Sequence, residues 1–325
     1  MNKIVITGGA GFIGSHIVDF FVGKFPNSQC VVLDSMTYAS DYRYLDQHKN
    51  NSNVSLVVGD ICDQAKCDSV LKNADLLIHA AAESHVDNSF ESSLVFTKTN
   101  VLGTHTIMQS ALHHGVPKIM HISTDEVYGE VVEGAVSESG AFAPTNPYSA
   151  SKAAAEMIVN GYIKAFNLPA LIVRANNMFG TRQFPEKLIP GSLIRLMVGE
   201  KITLHGSGLN KRTFLSVHDF CDALYILMTK GAIGEAYNIG TEQEYRNVEI
   251  AEMVCALLGK TSSESIIYVK DRPFNDARYS VDYSKISDLG WKVKLDLKDQ
   301  LPEIADWYRE NTKKFRHLFT GIDKT

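Results

Sequence analysis

No CxxC pair occurs in the sequence. The five cysteines, Cys30, Cys62, Cys67, Cys221 and Cys255, are an odd number, and no histidines gather at zinc-ligand spacing. That pattern excludes a disulfide framework and a structural zinc site, and it predicts reduced, mostly buried thiols. A basic excess is also missing: 32 Lys and Arg stand against 37 Asp and Glu, for a net charge of -5. Nucleic acid and anionic membrane are therefore poor partners. No stretch approaches the ~18 apolar residues that cross a bilayer. The opening Met-Asn-Lys-Ile-Val-Ile-Thr-Gly enters a strand directly, without a basic segment, an apolar run and a cleavage site. The expectation is a soluble, cytoplasmic protein. No internal repeat or low-complexity tract is visible.

What is present is an alternation of short apolar runs with helical patterns. Ile4 to Thr7, Cys30 to Leu33, Ser55 to Val58, Leu76 to Ala80, Ile119 to Ser123 and Ala170 to Val173 read as strands covered on both faces. Helical patterns such as Phe12 to Val22 and Thr99 to His114 separate them. The alternation predicts an α/β fold with a doubly wound, Rossmann-like parallel sheet over residues 1–175. From residue 176 to 325 loops lengthen, and helices such as His218 to Thr229 and Val248 to Leu258 stand apart. This part reads as a smaller, mainly substrate-binding lobe. A segment near 213–241 is expected to return to the sheet, because Ala236 to Ile239 looks like another strand. The tail after Trp307 reads as a solvated helix end.

Two motifs carry chemistry. Gly8, Gly11 and Gly14 lie between the first strand and the first helix. There they allow a tight turn, close approach of a pyrophosphate and close helix packing, with helix amides facing the phosphates. Asp34 ends the second strand, where a carboxylate binds adenosine ribose hydroxyls and repels a 2′-phosphate. No arginine adjoins it, so NAD is expected rather than NADP. Asp60, after the third strand, is an adenine-side candidate that alone also fits a turn.

The second motif is Asn146-Pro-Tyr-Ser-Ala-Ser-Lys152. Asn146 suits an N-cap and Pro147 a first helical position, so Tyr148 and Lys152 share one helix face. An ammonium near the phenol is expected to lower its pKa and let it act as a base. By spacing alone, an ordinary amphipathic helix fits equally well. Thr124, Asp125 and Glu126 end the fifth strand, at the edge where such sheets bind ligands. Neighbours on a strand face opposite sides. Both carboxylates reach one site only if the strand has already turned, and a solvated acidic loop is the alternative.

Together the glycine motif and Tyr-x-x-x-Lys resemble the extended short-chain dehydrogenase/reductases. Thr124-Asp125-Glu126, Ala81 to Asp87, Phe184 to Pro190 and the Asp271 to Tyr279 segment resemble the nucleotide-sugar 4,6-dehydratases of that family. The resemblance implies bound NAD and an internal redox cycle on a nucleotide-diphosphoglucose. Tyr148, helped by Thr124 and Lys152, takes the C4 hydroxyl proton. Glu126 removes the C5 proton, and Asp125 donates to the departing C6 hydroxyl. It also implies cofactor contacts at Phe12, Ile13, Ser35, Thr37, Ile61, Ala80, Ala81, Ala82, Ser84, Thr99 and Asn176. Arg212 and Arg272 would hold the diphosphate. Ser84, Thr124, Asn177, Glu186, Lys187, Leu188, Thr203, His205, Asn247 and Asn275 complete the substrate side. No metal is implied.

Thr203-Leu-His205 stands where bacterial thymidine-diphosphate enzymes have Pro and Tyr, whereas Phe274-Asn275 and Asn88-Ser-Phe90 look like plant-type rhamnose synthases. This favours UDP-glucose over dTDP-glucose and a place in deoxysugar or rhamnose synthesis. A 4-epimerase or decarboxylase shares the scaffold, but an epimerase has no use for Glu126. A non-catalytic NAD-binding protein is a further alternative. Helices Thr99 to His114 and Tyr148 to Phe166 resemble those that pair into a homodimer.

Overall fold

The computed structural model describes residues 1–271 and 273–320. Arg272, expected at the diphosphate, lies outside the described residues.

Six strands follow the predicted alternation: β1 (Lys3–Thr7), β2 (Gln29–Asp34), β3 (Val54–Val58), β4 (Leu76–His79), β5 (Ile119–Thr124) and β6 (Ala170–Ala175). Then β7 (Asn177–Phe179), β8 (Ile202–His205) and β9 (Lys211–Ser216) leave the sheet, and β10 (Ala236–Ile239) rejoins it. The chain adds β11 (Glu244–Arg246) and β12 (Ile266–Val269) elsewhere. The main sheet runs β10-β6-β5-β4-β1-β2-β3, and its pairs are parallel. Two small sheets, β11-β9-β7 and β12-β8, lie outside it.

Alternate strand residues feed two cores. Ile4, Ile6, Val32 and Ile78 face Ile17 and Phe21 of helix Phe12–Lys24 and Phe220 and Leu224 of helix Val217–Lys230. Val5, Leu33 and Leu77 face Val70 of helix Gln64–Leu71, Ile107 and Met108 of helix Thr104–His113, and Val159 of helix Pro147–Phe166. That double cover is why the central strands are buried at almost every position and mostly apolar, with His79, His121 and Arg174 among the buried polar exceptions. β3 departs from it: as the sheet's edge it is half-buried, and Val58 is exposed.

A separate core forms where helices Leu188–Met197, Asn247–Leu257 and Leu297–Phe315 pack through Leu193, Val254, Leu301, Ile304 and Tyr308. The chain end corrects the sequence reading. Phe315 is buried in this core, and Lys314 pairs with Asp41 and with the Tyr44 hydroxyl. The tail therefore fastens the second core to the loop after β2, and truncating Phe315 to alanine would cost ~3–5 kcal/mol.

The expected Thr99 to His114 helix is continuous but begins as a different type. A π-helical stretch, Thr97–Gly103, precedes Thr104–His113. Such wide turns often mark functional positions, and Lys98 and Thr99 of this one face the main cavity. All five cysteines are free. Among the described residues, no helix is long and apolar enough to cross a membrane.

Candidate active site

A cavity of about 640 Å³ runs along the carboxyl edge of the sheet, between the two cores. Each predicted cofactor-side residue lines it: the three motif glycines, Phe12, Ile13, Asp34, Ser35, Thr37, Asp60, Ile61, Ala80 to Ala82, Ser84, Thr99, Tyr148, Lys152 and Asn176. Gly8 has φ +70°, and a Cβ there would meet the Ala81 backbone at 2.8 Å. At Gly14 a Cβ would overlap the Gly8 carbonyl. Over Gly11 a Cβ would meet only the Gly8 oxygen, at 3.4 Å, so the helix start stays open to the cavity. Helix Phe12–Lys24 carries no side-chain cap at this end, which suits its amides to an anion.

Asp34 does more than the sequence indicated. Its carboxylate accepts from the Ala10 amide at 2.9 Å, the Met36 amide at 2.8 Å and the Ser40 hydroxyl at 2.9 Å. It therefore ties the glycine turn to the loop after β2 while facing the cavity.

β5 ends at Thr124, and Asp125–Tyr128 form a single 3-10 turn. The Thr124 hydroxyl accepts from the Glu126 amide at 3.3 Å. The strand has already turned when the carboxylates arrive, as sharing one site requires. They nevertheless sit differently. Glu126 lines the cavity and accepts from the Asn146 side-chain amide at 3.2 Å. Asp125 stands behind the wall, held by Asn176 at 2.7 Å and by the Thr124 hydroxyl at 3.2 Å. Burial raises both carboxyls. Asp125 is pushed up to about 7, with Glu126 adding to the effect, while Asn176, Thr124 and Arg212 oppose it. Glu126 is raised by burial against Asn146, Arg212 and Lys187.

Asn146 links helix and site. Its carbonyl oxygen accepts from the Ser149 amide at 2.8 Å in a capping box, with Pro147 at the first turn, while its amide holds Glu126. That cap starts helix Pro147–Phe166 and delivers Tyr148 and Lys152 to the cavity wall. Lys152 donates to the Ile122 carbonyl at 2.7 Å, and burial lowers it to about 8. The expected lowering of the Tyr148 phenol is not what the surroundings produce. Burial, then the charges of Glu126 and Asp125, push it up, and only the Thr124 hydroxyl pulls it down. The ammonium is engaged by a carbonyl instead.

On the far side Asn177, Glu186, Lys187, Leu188, Arg212, Asn247 and Asn275 line the same cavity. Arg212 donates to the Asp276 carbonyl at 2.9 Å and to Asn275 Oδ1 at 3.1 Å, and it lies 4.6 Å over the Tyr279 ring. Lys187 donates to the Ser84 carbonyl at 2.9 Å. Thr203 and His205 are not brought in. They sit on β8, paired with β12, and His205 bonds the Lys270 carbonyl at 3.3 Å. The sequence reading missed Asn146 as the holder of Glu126, and Asp276 and Tyr279 as lining residues. The Arg278-Tyr279 pair was visible as a family-like motif, but nothing in its spacing told that Tyr279 faces inward.

The parallel sheet, the glycine turn and the phenol beside a carboxylate define a dinucleotide-type redox scaffold that carries acid–base groups. The family model described as GDP-mannose 4,6 dehydratase matches residues 5–304, and the chain belongs to that family, among the nucleotide-sugar 4,6-dehydratases of the extended short-chain dehydrogenase/reductases. It is 42% identical over 316 residues to the trifunctional UDP-glucose 4,6-dehydratase/UDP-4-keto-6-deoxy-D-glucose 3,5-epimerase/UDP-4-keto-L-rhamnose-reductase of Arabidopsis thaliana. That match covers 95% of this chain and 47% of the relative, so the chain spans about half of the plant protein. The dTDP-D-glucose 4,6-dehydratase of Mus musculus is 39% identical, over 99% of this chain and 93% of its own length. Among solved structures, a dTDP-glucose 4,6-dehydratase from Streptomyces venezuelae with NAD bound superposes with a TM-score of 0.93 at 37% identity, covering 99% of this chain and all of that one.

Proposed function

We propose that this chain is an NAD-dependent hydro-lyase that converts a nucleotide-diphosphoglucose to the 4-keto-6-deoxy sugar nucleotide and water. The observation that carries the reading is the meeting of Tyr148 and Glu126 on one cavity wall, with Asp125 directly behind. When bound along the glycine turn, NAD supplies a hydride acceptor for C4, a hydride donor back to C6, and a positive ring charge during the first step.

Tyr148 accepts the C4 hydroxyl proton as its phenolate, a form that the Thr124 hydroxyl favours and that the positive charges of Lys152 and bound NAD would favour against burial and the charges of Glu126 and Asp125. The resulting C4 ketone acidifies the C5 proton, which Glu126 removes and, once hydride has returned to C6, gives back to C5. Asp125 is the acid for the C6 hydroxyl: its carboxyl, pushed up to about 7, is protonated in about half of the molecules at neutral pH, where an ordinary Asp is ionised. Its donation calls for the carboxyl to leave Asn176 when substrate is present. Two coupled carboxyls with different surroundings are the arrangement by which one gives and the other takes a proton. Arg212 and Lys187 supply the positive charge that a diphosphate needs.

For the base we propose uracil, and so UDP-glucose as substrate. Phe274 and Asn275, in the segment that resembles the plant-type enzymes, both line the cavity. Related proteins carry both UDP- and dTDP-glucose names. Competition of the two sugar nucleotides at equal concentration tests the choice, and a large preference for the thymidine form would overturn it. Activity itself is tested by incubating the purified chain with UDP-glucose and no added NAD. A product absorbing as a 4-keto sugar under alkali supports dehydration, and recovered UDP-galactose would favour a 4-epimerase.

We further propose a cytoplasmic homodimer acting in deoxysugar or rhamnose synthesis. Leu102, Met157 and Phe166, on and beside the helices expected to pair, are exposed apolar residues. Light scattering at the mass of one chain would contradict the dimer.

A further inference from the structure

A cofactor that is reduced and reoxidised within one turnover gains from staying bound throughout. Three loops meet at the cavity mouth in a way that can hold it. Tyr38 belongs to the loop after β2, whose neighbours Thr37, Ala39 and Ser40 line the cavity on the cofactor side. Its hydroxyl donates to Glu186 Oε2 at 2.9 Å, and Asn88 donates to the same hydroxyl at 3.1 Å. His85 Nδ1 lies 3.5 Å from Glu186 Oε2. The Tyr38 ring also meets Phe184 edge-on, with centroids 5.1 Å apart. Phe184 in turn packs on the second hydrophobic core and against Phe315.

Glu186 is flanked by Lys187 and Leu188, which line the substrate end. Lys187 adds its own bond to the Ser84 carbonyl. Loops 37–40, 84–88 and 184–188 are thus fastened together over one cavity, although they come from three separate parts of the chain. Glu186, read from the sequence as a substrate contact, spends its carboxylate on Tyr38 and His85.

We propose that Tyr38 and Glu186 form a clasp that positions the substrate-side loop over the bound dinucleotide and slows its release. Tyr38 is a positioning residue here: it acts on the cofactor through Glu186. The inference rests on NAD occupying this cavity. Opening the cavity requires breaking the phenol–carboxylate bond, a charge-assisted one, and parting the Tyr38 and Phe184 rings. Loss of one such bond corresponds to about tenfold in a rate or affinity.

The test is the dissociation rate of reduced cofactor from the full chain, followed by nicotinamide fluorescence in stopped flow without sugar nucleotide. Three variants are compared with wild type: Tyr38→Phe, Glu186→Ala and the double substitution. Tyr38→Phe removes one oxygen from a half-exposed ring and keeps the Phe184 contact. It is expected to release the cofactor about tenfold faster, and to lose NAD on desalting in a way that added NAD restores. The double variant is expected to release it no faster than Glu186→Ala alone, because both substitutions break the same contact. An unchanged rate in Tyr38→Phe, or effects that multiply in the double variant, would overturn the clasp. Failure of the cofactor assignment looks different: wild type itself would then bind no reduced cofactor.

Discussion

The two sides of the cavity were built by different kinds of sequence. On the cofactor side, Gly8, Gly11, Gly14, Tyr148 and Lys152 lie in short motifs whose spacing is set by one turn or one helix face. On the substrate side, Asn177, Glu186, Arg212, Asn247 and Asn275 come from β7, a loop, β9, a helix start and another loop. Motif spacing reports local geometry, so the first side is legible from the chain alone. The second side exists only once a separate core has folded and brought distant segments together. The difference also separates roles: the first side should govern the chemical steps and the second the grip on substrate.

The largest effect is expected at the chemical side. Tyr148→Phe should lower kcat by ~10³-fold and abolish formation of reduced cofactor from substrate, measured as nicotinamide absorbance. Equal loss in kcat and kcat/KM would mark a transition-state role, while a change in KM alone would blur the division.

Asp125→Asn should slow elimination by ~10²-fold. In the wild type the protonated acid is lost as pH rises through about 7, so the elimination rate should decline there, and the variant should lack that decline. Stability follows with the same sign. A carboxyl whose pKa is raised in the folded protein contributes its full stability below the ordinary Asp value of 3.8 and loses it progressively as pH rises from there to about 7. Asp125→Asn should therefore gain ~2–4 °C in Tm over wild type at pH 8, less at pH 5 and least at about pH 4 and below. A gain that is largest at about pH 4 and vanishes at pH 8 would reverse the assignment.

Arg212→Ala should act on the other side, raising KM by ~10-fold or more as a charge-assisted contact is lost, with a smaller change in kcat. Smallest of all is His205→Ala. Because β8 holds His205 away from the cavity lining, KM should shift by less than ~2-fold, within the usual range of surface changes. A large KM change there would show that β8 joins the substrate site.

The central strands and most helices were readable because apolar periodicity is a local signal. β3 misled because an edge strand can be as apolar as a central one. The tail misled because Phe315 is a single apolar residue among charges, and only the second core shows what it fills. Within the site, the Thr-Asp-Glu run identified the carboxylates but not their different surroundings. Those depend on Asn146 and Asn176, two amides whose partners lie 20 and 51 residues away in the chain. The Tyr38–Glu186 contact, 148 residues apart, left no mark in any motif.

The account depends on Glu126 taking the C5 proton after C4 has been oxidised. The direct measurement is single-turnover mixing of Glu126→Gln with UDP-glucose while nicotinamide absorbance is followed. Reduced cofactor should build up to the number of active sites and persist, with no 4-keto-6-deoxy product. Product formation at the wild-type rate would remove Glu126 from the reaction and contradict the mechanism.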